Sequence, residues 1–319
     1  MKKLKIASFF AGVGGIDLAF EQTEAFEVIY ANEMDPYAVK TYENNFKLKV
    51  DCRKIEDVKL NEIPKFDVMI GGFPCTSFSL AGYRKGFEDK RTGHLYFELE
   101  RIFKNKKPKI IFLENVKSLV GHDGGKTFRV ILDSLEQEGY KVKPMVMNAC
   151  EYGNIPQNRE RIYIVCFRDK KLYEKFNFPL PVPLTKTIHD IIDFVNKSDD
   201  KYYYTKGKYK GDIYEKLVEA MDDEDAVYQW RRQYVRKNKS GVVPTLTANQ
   251  GEGGHNVCLI RTKYGIRKMT PHECFNTQGY PLSYKLPEEL SDSKLYKQAG
   301  NSVAVPVINR IAQNIADIL

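Results

Sequence analysis

The chain has 319 residues, enough for about two domains with buried cores. Hydrophobic residues make up 42% and charged residues 29%, which excludes wholesale disorder and a membrane protein. The 50 basic and 42 acidic residues leave a net charge of +8, which permits an anionic partner without identifying one.

The opening residues MKKLKIASFF lack the long apolar stretch and cleavage site of a secretion signal. No run approaches the roughly 18 apolar residues of a spanning helix, so a cytoplasmic protein without membrane contact is expected. Six cysteines, at 52, 75, 150, 166, 258 and 274, contain no CxxC pair, which argues against a zinc site and a disulfide framework. Reduced thiols, most of them buried, and no metal are expected.

Along residues 1–168 short β-rich runs, KIASFF, EVIYANE, FDVMIGG, KIIFLENV, YKVKPMVMNA and RIYIVCF, are mostly separated by periodic stretches such as TGHLYFELERIFK and KTFRVILDSLEQ. That alternation predicts an α/β domain whose parallel or mixed sheet carries helices on both faces. From Asp169 to Ile266 the pattern changes. PLPVPLTK is proline-rich, MDDEDA is acidic, and KYYYTKGKYKG and QWRRQYVRKNK are basic and aromatic. GVVPTLTANQGEGGHN then reads as a long loop pair rather than core. Residues 169–266 are expected to form a second, smaller domain. Residues 267–319 return to the first, ending in VAVPVINRIAQNIADIL, apolar at helical spacing.

FAGVGG follows the first predicted strand and opens a helix, where α/β sheets bind nucleotides. Gly12, Gly14 and Gly15 let the backbone approach a ligand. A dinucleotide fingerprint would want glycine at position 17, where Asp17 stands, so an adenosine cofactor without a diphosphate fits better. Glu33, at the end of the second strand, is placed to accept hydrogen bonds from ribose hydroxyls. GGFPC follows the strand FDVMI and puts Cys75 behind a stiffening proline, where a thiolate could attack an electrophilic carbon. Glu114 ends the strand KIIFL at the same sheet edge. QNRER puts Arg159 and Arg161 on one side of an extended segment.

In this order the motifs resemble the bacterial DNA (cytosine-5-)-methyltransferases of restriction–modification systems. FAGVGG, NEMD, GFPC, ENV, QNRER, RKMTPHECFNTQGYP and KQAGNSV cover essentially the whole chain outside 169–244. Thr76 stands where that family usually has glutamine, Met34 where an aromatic is frequent, and His272 where arginine is common. The resemblance implies a Rossmann-like S-adenosylmethionine-dependent methyltransferase domain with a smaller, irregular target-recognition domain. It implies a methyl transfer from S-adenosyl-L-methionine to carbon 5 of a cytosine flipped out of a specific short duplex DNA sequence, through a covalent Cys75 adduct.

By the same resemblance Cys75 is the nucleophile, Glu114 the acid at N3 with a pKa raised on closure, and Arg159 and Arg161 hold the base carbonyl and adjoining phosphate. Phe10, Ala11, Gly12, Val13, Gly14, Gly15, Glu33, Met34, Asp51, Cys52, Pro74, Leu95, Asn301 and Ser302 form the cofactor pocket. In that set Asp51, at the end of the third strand, takes the adenine amino group, and Asn301 and Ser302 close the pocket beside the first motif. Thr245 and Leu246 of TLTA, with Arg231, Arg232 and Arg236, contact double-stranded DNA. A monomer functionally paired with a restriction endonuclease is expected. The competing readings are an RNA cytosine-5 methyltransferase and a non-catalytic DNA-binding module.

Overall fold

The computed structural model describes residues 2–74, 94–209, 211–231, 233–250 and 257–319. By their contacts they form two compact units, one of residues 1–147, 160–180 and 307–319, the other of 148–159 and 181–306. The contacts divide the chain elsewhere than the composition does. Residues 148–159 and most of 267–319 group with the second unit, and only the last thirteen residues return to the first.

The first unit is built on strands β1 (Leu4–Phe9), β2 (Phe26–Asn32), β3 (Val68–Gly71), β4 (Ile110–Val116), β5 (Lys141–Asn148) and, beyond the two-residue β6 (Gln157–Asn158), β7 (Glu160–Phe167). Without β6 they make one sheet in the order β2-β1-β3-β4-β7-β5. β1 pairs parallel with β2 and β3, and β3 parallel with β4, whereas β7 runs antiparallel to β4. The sheet is therefore mixed.

Every residue of β3 and the first six of β4 are buried. Because successive side chains point to opposite faces, both faces of these strands are covered, which is why they read as unbroken apolar runs. Ala7, Met69, Ile111, Leu113, Ile162 and Ile164 pack in one core with Leu99, Ile102 and Phe103 of the helix His94–Lys106. On the alternate positions Phe112 meets Phe20 edge-on at 5.2 Å. The C-terminal helix is tied in by Asn309 Nδ2, which donates to Ala19 O at 3.0 Å.

The second unit contains the antiparallel sheet β12-β11-β8-β9, from β8 (Tyr228–Trp230), β9 (Val235–Lys237), β11 (Val257–Thr262) and β12 (Gly265–Lys268). One face, with Tyr228, Leu259 and Ile266, packs on Leu217, Met221 and Tyr204. A short strand β10 (Val243–Pro244) pairs parallel with β6. One expectation is corrected here. Val243 and Leu246 are 0% and 2% exposed, so residues 241–250 contribute to the interior. Tyr202, Tyr203 and Tyr204 are buried as well, so the aromatics of KYYYTKGKYKG at 202–204 belong to the core.

Arg267, fully buried, holds this unit together. Its Nη1 and Nη2 donate to the two oxygens of Glu273 at 2.8 and 2.7 Å, and Nη2 also reaches Asp193 O at 2.6 Å. Glu273 is itself the third residue of a capping box on Thr270.

Candidate active site and nucleic-acid interface

The glycine loop between β1 and the helix α1 (Gly15–Glu21) turns on positive φ at Gly12 (55°) and Gly14 (79°). A Cβ on Gly12 would meet nothing within 4 Å, which leaves an open backbone cradle. Gly12 N donates to Glu33 Oε2 at 2.9 Å, and Asp35 N to Oε1 at 2.8 Å. Burial raises the Glu33 carboxyl above its ordinary value, while these N–H groups oppose the rise. Each Glu33 oxygen keeps a lone pair for a further donor, such as a ribose hydroxyl. Ala11 N bonds Asn32 O at 3.1 Å, which pins the loop to the end of β2. Phe10 also has positive φ (53°), and the Val13 side chain is buried.

Asp51 ends no third strand. It forms an isolated bridge with Asn32, and the third strand begins at Val68. Its carboxylate is held well below the usual range, first by Arg53, which donates at 2.7 and 2.8 Å; the Tyr30 hydroxyl adds a third bond at 2.9 Å. Met34 is 61% exposed. Cys52 is exposed, and its Sγ lies 3.9 Å from Met34 O. Desolvation and the surrounding carboxylates of Glu33, Asp35, Asp51 and Glu43 push its thiol up, so it is a poor nucleophile. Cys166, Cys258 and Cys274 are buried, and burial pushes all three thiols up, Cys258 to about 12.

Glu114, at the end of β4, is 8% exposed and carries an ion pair from Arg161 of β7, Nε to Oε1 at 3.1 Å. The two strands are antiparallel neighbours, with Val116 opposite Arg161, and this register brings acid and base together. Gly72 lies against this carboxylate, since a Cβ there would be 3.4 Å from Glu114 Oε2. Asn115, to which the sequence reading gave no role, donates from Nδ2 to Phe73 O at 2.7 Å and accepts from Val116 N at 2.8 Å. It anchors the chain leading to Pro74, which is exposed. Cys75 itself lies outside the described residues, as does Arg232. Leu95 is half-buried at the start of the helix His94–Lys106.

Arg159 has a different environment from Arg161. It is 2% exposed, and its guanidinium donates to the main-chain oxygens of Leu246 and Gly300, both at 3.3 Å, and of Ser302. Three carbonyls thus occupy the group expected to hold a base or phosphate. Gly300 fits because it has no side chain: a Cβ there would lie 2.3 Å from the Thr247 carbonyl carbon. Ser302 is buried, 2.5 Å from the Tyr280 hydroxyl, and Asn301 is exposed at the end of its helix. The Thr245 hydroxyl donates to Asn158 O at 2.6 Å. The Leu246 side chain packs inside.

On the face of the β8–β12 sheet opposite its apolar cluster, Gln229 stands across from Arg236 on β9 and from Cys258 on β11. Gln229 and Arg236, with Arg231, Asn238, Asn158 and Thr245, line a cavity of about 310 Å³. Guanidinium, amide and hydroxyl groups dominate this lining, the donor and acceptor types that read base edges.

Residues 4–317 match the family described as C-5 cytosine-specific DNA methylase. The chain belongs to that family, whose members are S-adenosyl-L-methionine-dependent DNA cytosine-5 methyltransferases. It is 60% identical over 312 residues to the type II methyltransferase M.Bsp6I of Bacillus sp. (strain RFL6), covering 98% of both chains. To M.HhaI of Haemophilus parahaemolyticus it is 37% identical, over 99% of this chain and 95% of the relative. Among solved structures, the methyltransferase EhMeth of Entamoeba histolytica superposes with a TM-score of 0.76 at 19% identity over 99% of each chain, a likeness of fold. Among the described residues no helix is long and apolar enough to cross a membrane.

Proposed function

We propose that this methyltransferase acts on a cytosine rotated out of a specific short duplex DNA sequence, with Cys75 as the nucleophile. The observation that carries the reading is the Glu114–Arg161 ion pair beside Gly72, with Asn115 gripping Phe73 O two residues before the thiol. A stacked base hides its ring face, so rotation is required, at a cost of a few kcal/mol that DNA contacts must offset.

The Cys75 thiolate forms an S–C6 bond, and the electron pair of the C5–C6 double bond moves toward C5. Glu114, as an acid oriented by Arg161, supplies a proton at N3 and stabilises the charge pushed onto the ring. When bound, S-adenosyl-L-methionine supplies the methyl group as a sulfonium electrophile. Glu33, the open backbone at Gly12 and the segment from Asp51 would hold its adenosine part. After transfer a water molecule takes the C5 proton, the C5–C6 double bond re-forms as the S–C6 pair leaves with Cys75 as thiolate, and N3 returns its proton to Glu114.

Arg159 serves this chemistry by fixing the main chain of Leu246 and Ser302 rather than by touching the base. The first unit carries catalysis and the second recognises the target, with Arg231, Arg232, Arg236 and Thr245 toward the DNA. The enzyme works as a monomer in the bacterial cytoplasm, protecting sites that a partner endonuclease cuts; its likeness to type II methyltransferases supports the protective role.

Expression in a host free of cytosine methylation, followed by bisulfite mapping, should reveal one short methylated motif. A duplex carrying 5-fluorocytosine at that position should become covalently trapped on the wild-type chain and not on Cys75→Ser. Turnover or trapping retained by Cys75→Ser would overturn the assignment.

A further inference from the structure

The residue that breaks the dinucleotide fingerprint faces inward. Asp17 is 0% exposed in the first turn of α1, two positions beyond the glycine loop. Its carboxylate is shared between two other elements. Ser8 Oγ of β1 donates to Oδ2 at 3.0 Å, and the Tyr42 hydroxyl, from the helix α2 (Pro36–Glu43), donates to Oδ1 at 2.9 Å. The Tyr42 ring is stacked on Phe46 with centroids 4.4 Å apart. These two rings lie directly under Gly14, where a Cβ would be 2.4 Å from Phe46 Cε2 and 3.0 Å from Tyr42 Cδ2. One tyrosine therefore bonds Asp17 through its hydroxyl and supports the glycine loop through its ring.

We propose that Asp17 is a positioning residue for the cofactor: its ionised carboxylate, by accepting from Ser8 and Tyr42 together, holds the Tyr42–Phe46 platform that shapes the Gly12–Gly15 loop for S-adenosyl-L-methionine. The inference rests on assigning that loop to the cofactor. An ionised carboxylate is acceptor-only and satisfies both hydroxyls, whereas a protonated one must place its own hydrogen, so one of the two links is rewritten. Hydrogen bonds to a charged group are also the stronger kind.

The titratable groups that bear on Asp17 are Tyr42 on α2 and Glu21 on α1; Ser8 on β1 is uncharged. Burial pushes the Asp17 carboxyl up to about 7 against the two hydroxyl bonds. Affinity for the cofactor should then fall as pH drops through that value.

Calorimetric titration of the full chain with S-adenosyl-L-methionine between pH 6 and 8.5 tests this. The wild type should bind about tenfold more weakly at the acid end, a change the size of one hydrogen bond to a charged group. Asp17→Asn should bind weakly at every pH, and Tyr42→Phe, which removes a bond favouring ionisation, should move the midpoint to higher pH. Glu33 is the competing source of a pH dependence, and Asp17→Asn separates the two because it leaves Glu33 in place. A flat wild-type profile, or the same slope surviving in Asp17→Asn, would overturn the proposal. If Asp17→Asn does not fold, the wild-type profile and the Tyr42→Phe midpoint decide it. Gly14→Ala, which drives a Cβ into Phe46, should abolish binding; binding retained there would overturn the loop assignment, whereas lost binding beside a flat wild-type profile would overturn only the role of Asp17.

Discussion

The two sheets of this enzyme bury their strands in contrasting ways. In the six-stranded sheet, β3 and β4 are apolar on both faces, and the only polar side chains they offer, Glu114 and Asn115, lie where β4 ends. In the four-stranded sheet one face is apolar through Tyr228, Leu259 and Ile266, while the other carries Gln229 and Arg236 into a polar cavity. A sheet covered on both sides confines chemistry to its edge, where a few groups can be fixed with precision. The second face of the four-stranded sheet also buries Cys258, Ile260 and Arg267, and it is at its β8–β9 end that it opens into a polar cavity, suited to reading part of an extended ligand.

This contrast can be broken at each side. The largest effect should come from the edge. Glu114→Gln is expected to lower kcat by about 10²–10⁴-fold, the usual worth of a positioned acid, with cofactor affinity unchanged; stopped-flow methyl transfer and calorimetry check this together. Equal losses in both would make Glu114 a structural group. Next is Arg267→Ala, which strands the buried Glu273 carboxylate and should cost about 3–5 kcal/mol in denaturant unfolding. A smaller loss would mean that the second unit does not depend on that pair. The smallest effect belongs to the polar face. Arg236→Ala should cost about 1–3 kcal/mol of discrimination at one base position, visible as a relaxed motif in a methylation map with the rate at the original site largely kept. An unchanged motif would remove Arg236 from the reading surface.

The edge was legible in the sequence because its signals are local. A strand, a glycine turn and a helix lie within twenty residues of one another, and FDVMIGG, KIIFLENV and RIYIVCF all became strands. What escaped depends on partners far along the chain. Val243 looked like loop because its strand partner is Gln157, some 86 positions earlier. Asn115, within the ENV motif, drew no role because its task is to hold Phe73, and Arg159 was assigned to the base or phosphate because the carbonyls that surround it come from Leu246, Gly300 and Ser302, far along the chain. Asp17 was noticed only as a missing glycine. A buried aspartate beside a serine and a tyrosine 25 residues away leaves no periodic trace in a sequence.

The contact of Gly300 with the Thr247–Ala248 backbone, locked by Arg159, bears on how such enzymes can be recombined. A graft that imports a foreign target-reading segment inherits a main-chain surface that must mate with this glycine and this guanidinium. Residues 241–250, 157–159 and 298–303 therefore travel as one cassette, and a chimaera that splits them should fail in assembly before its new sequence preference can be observed.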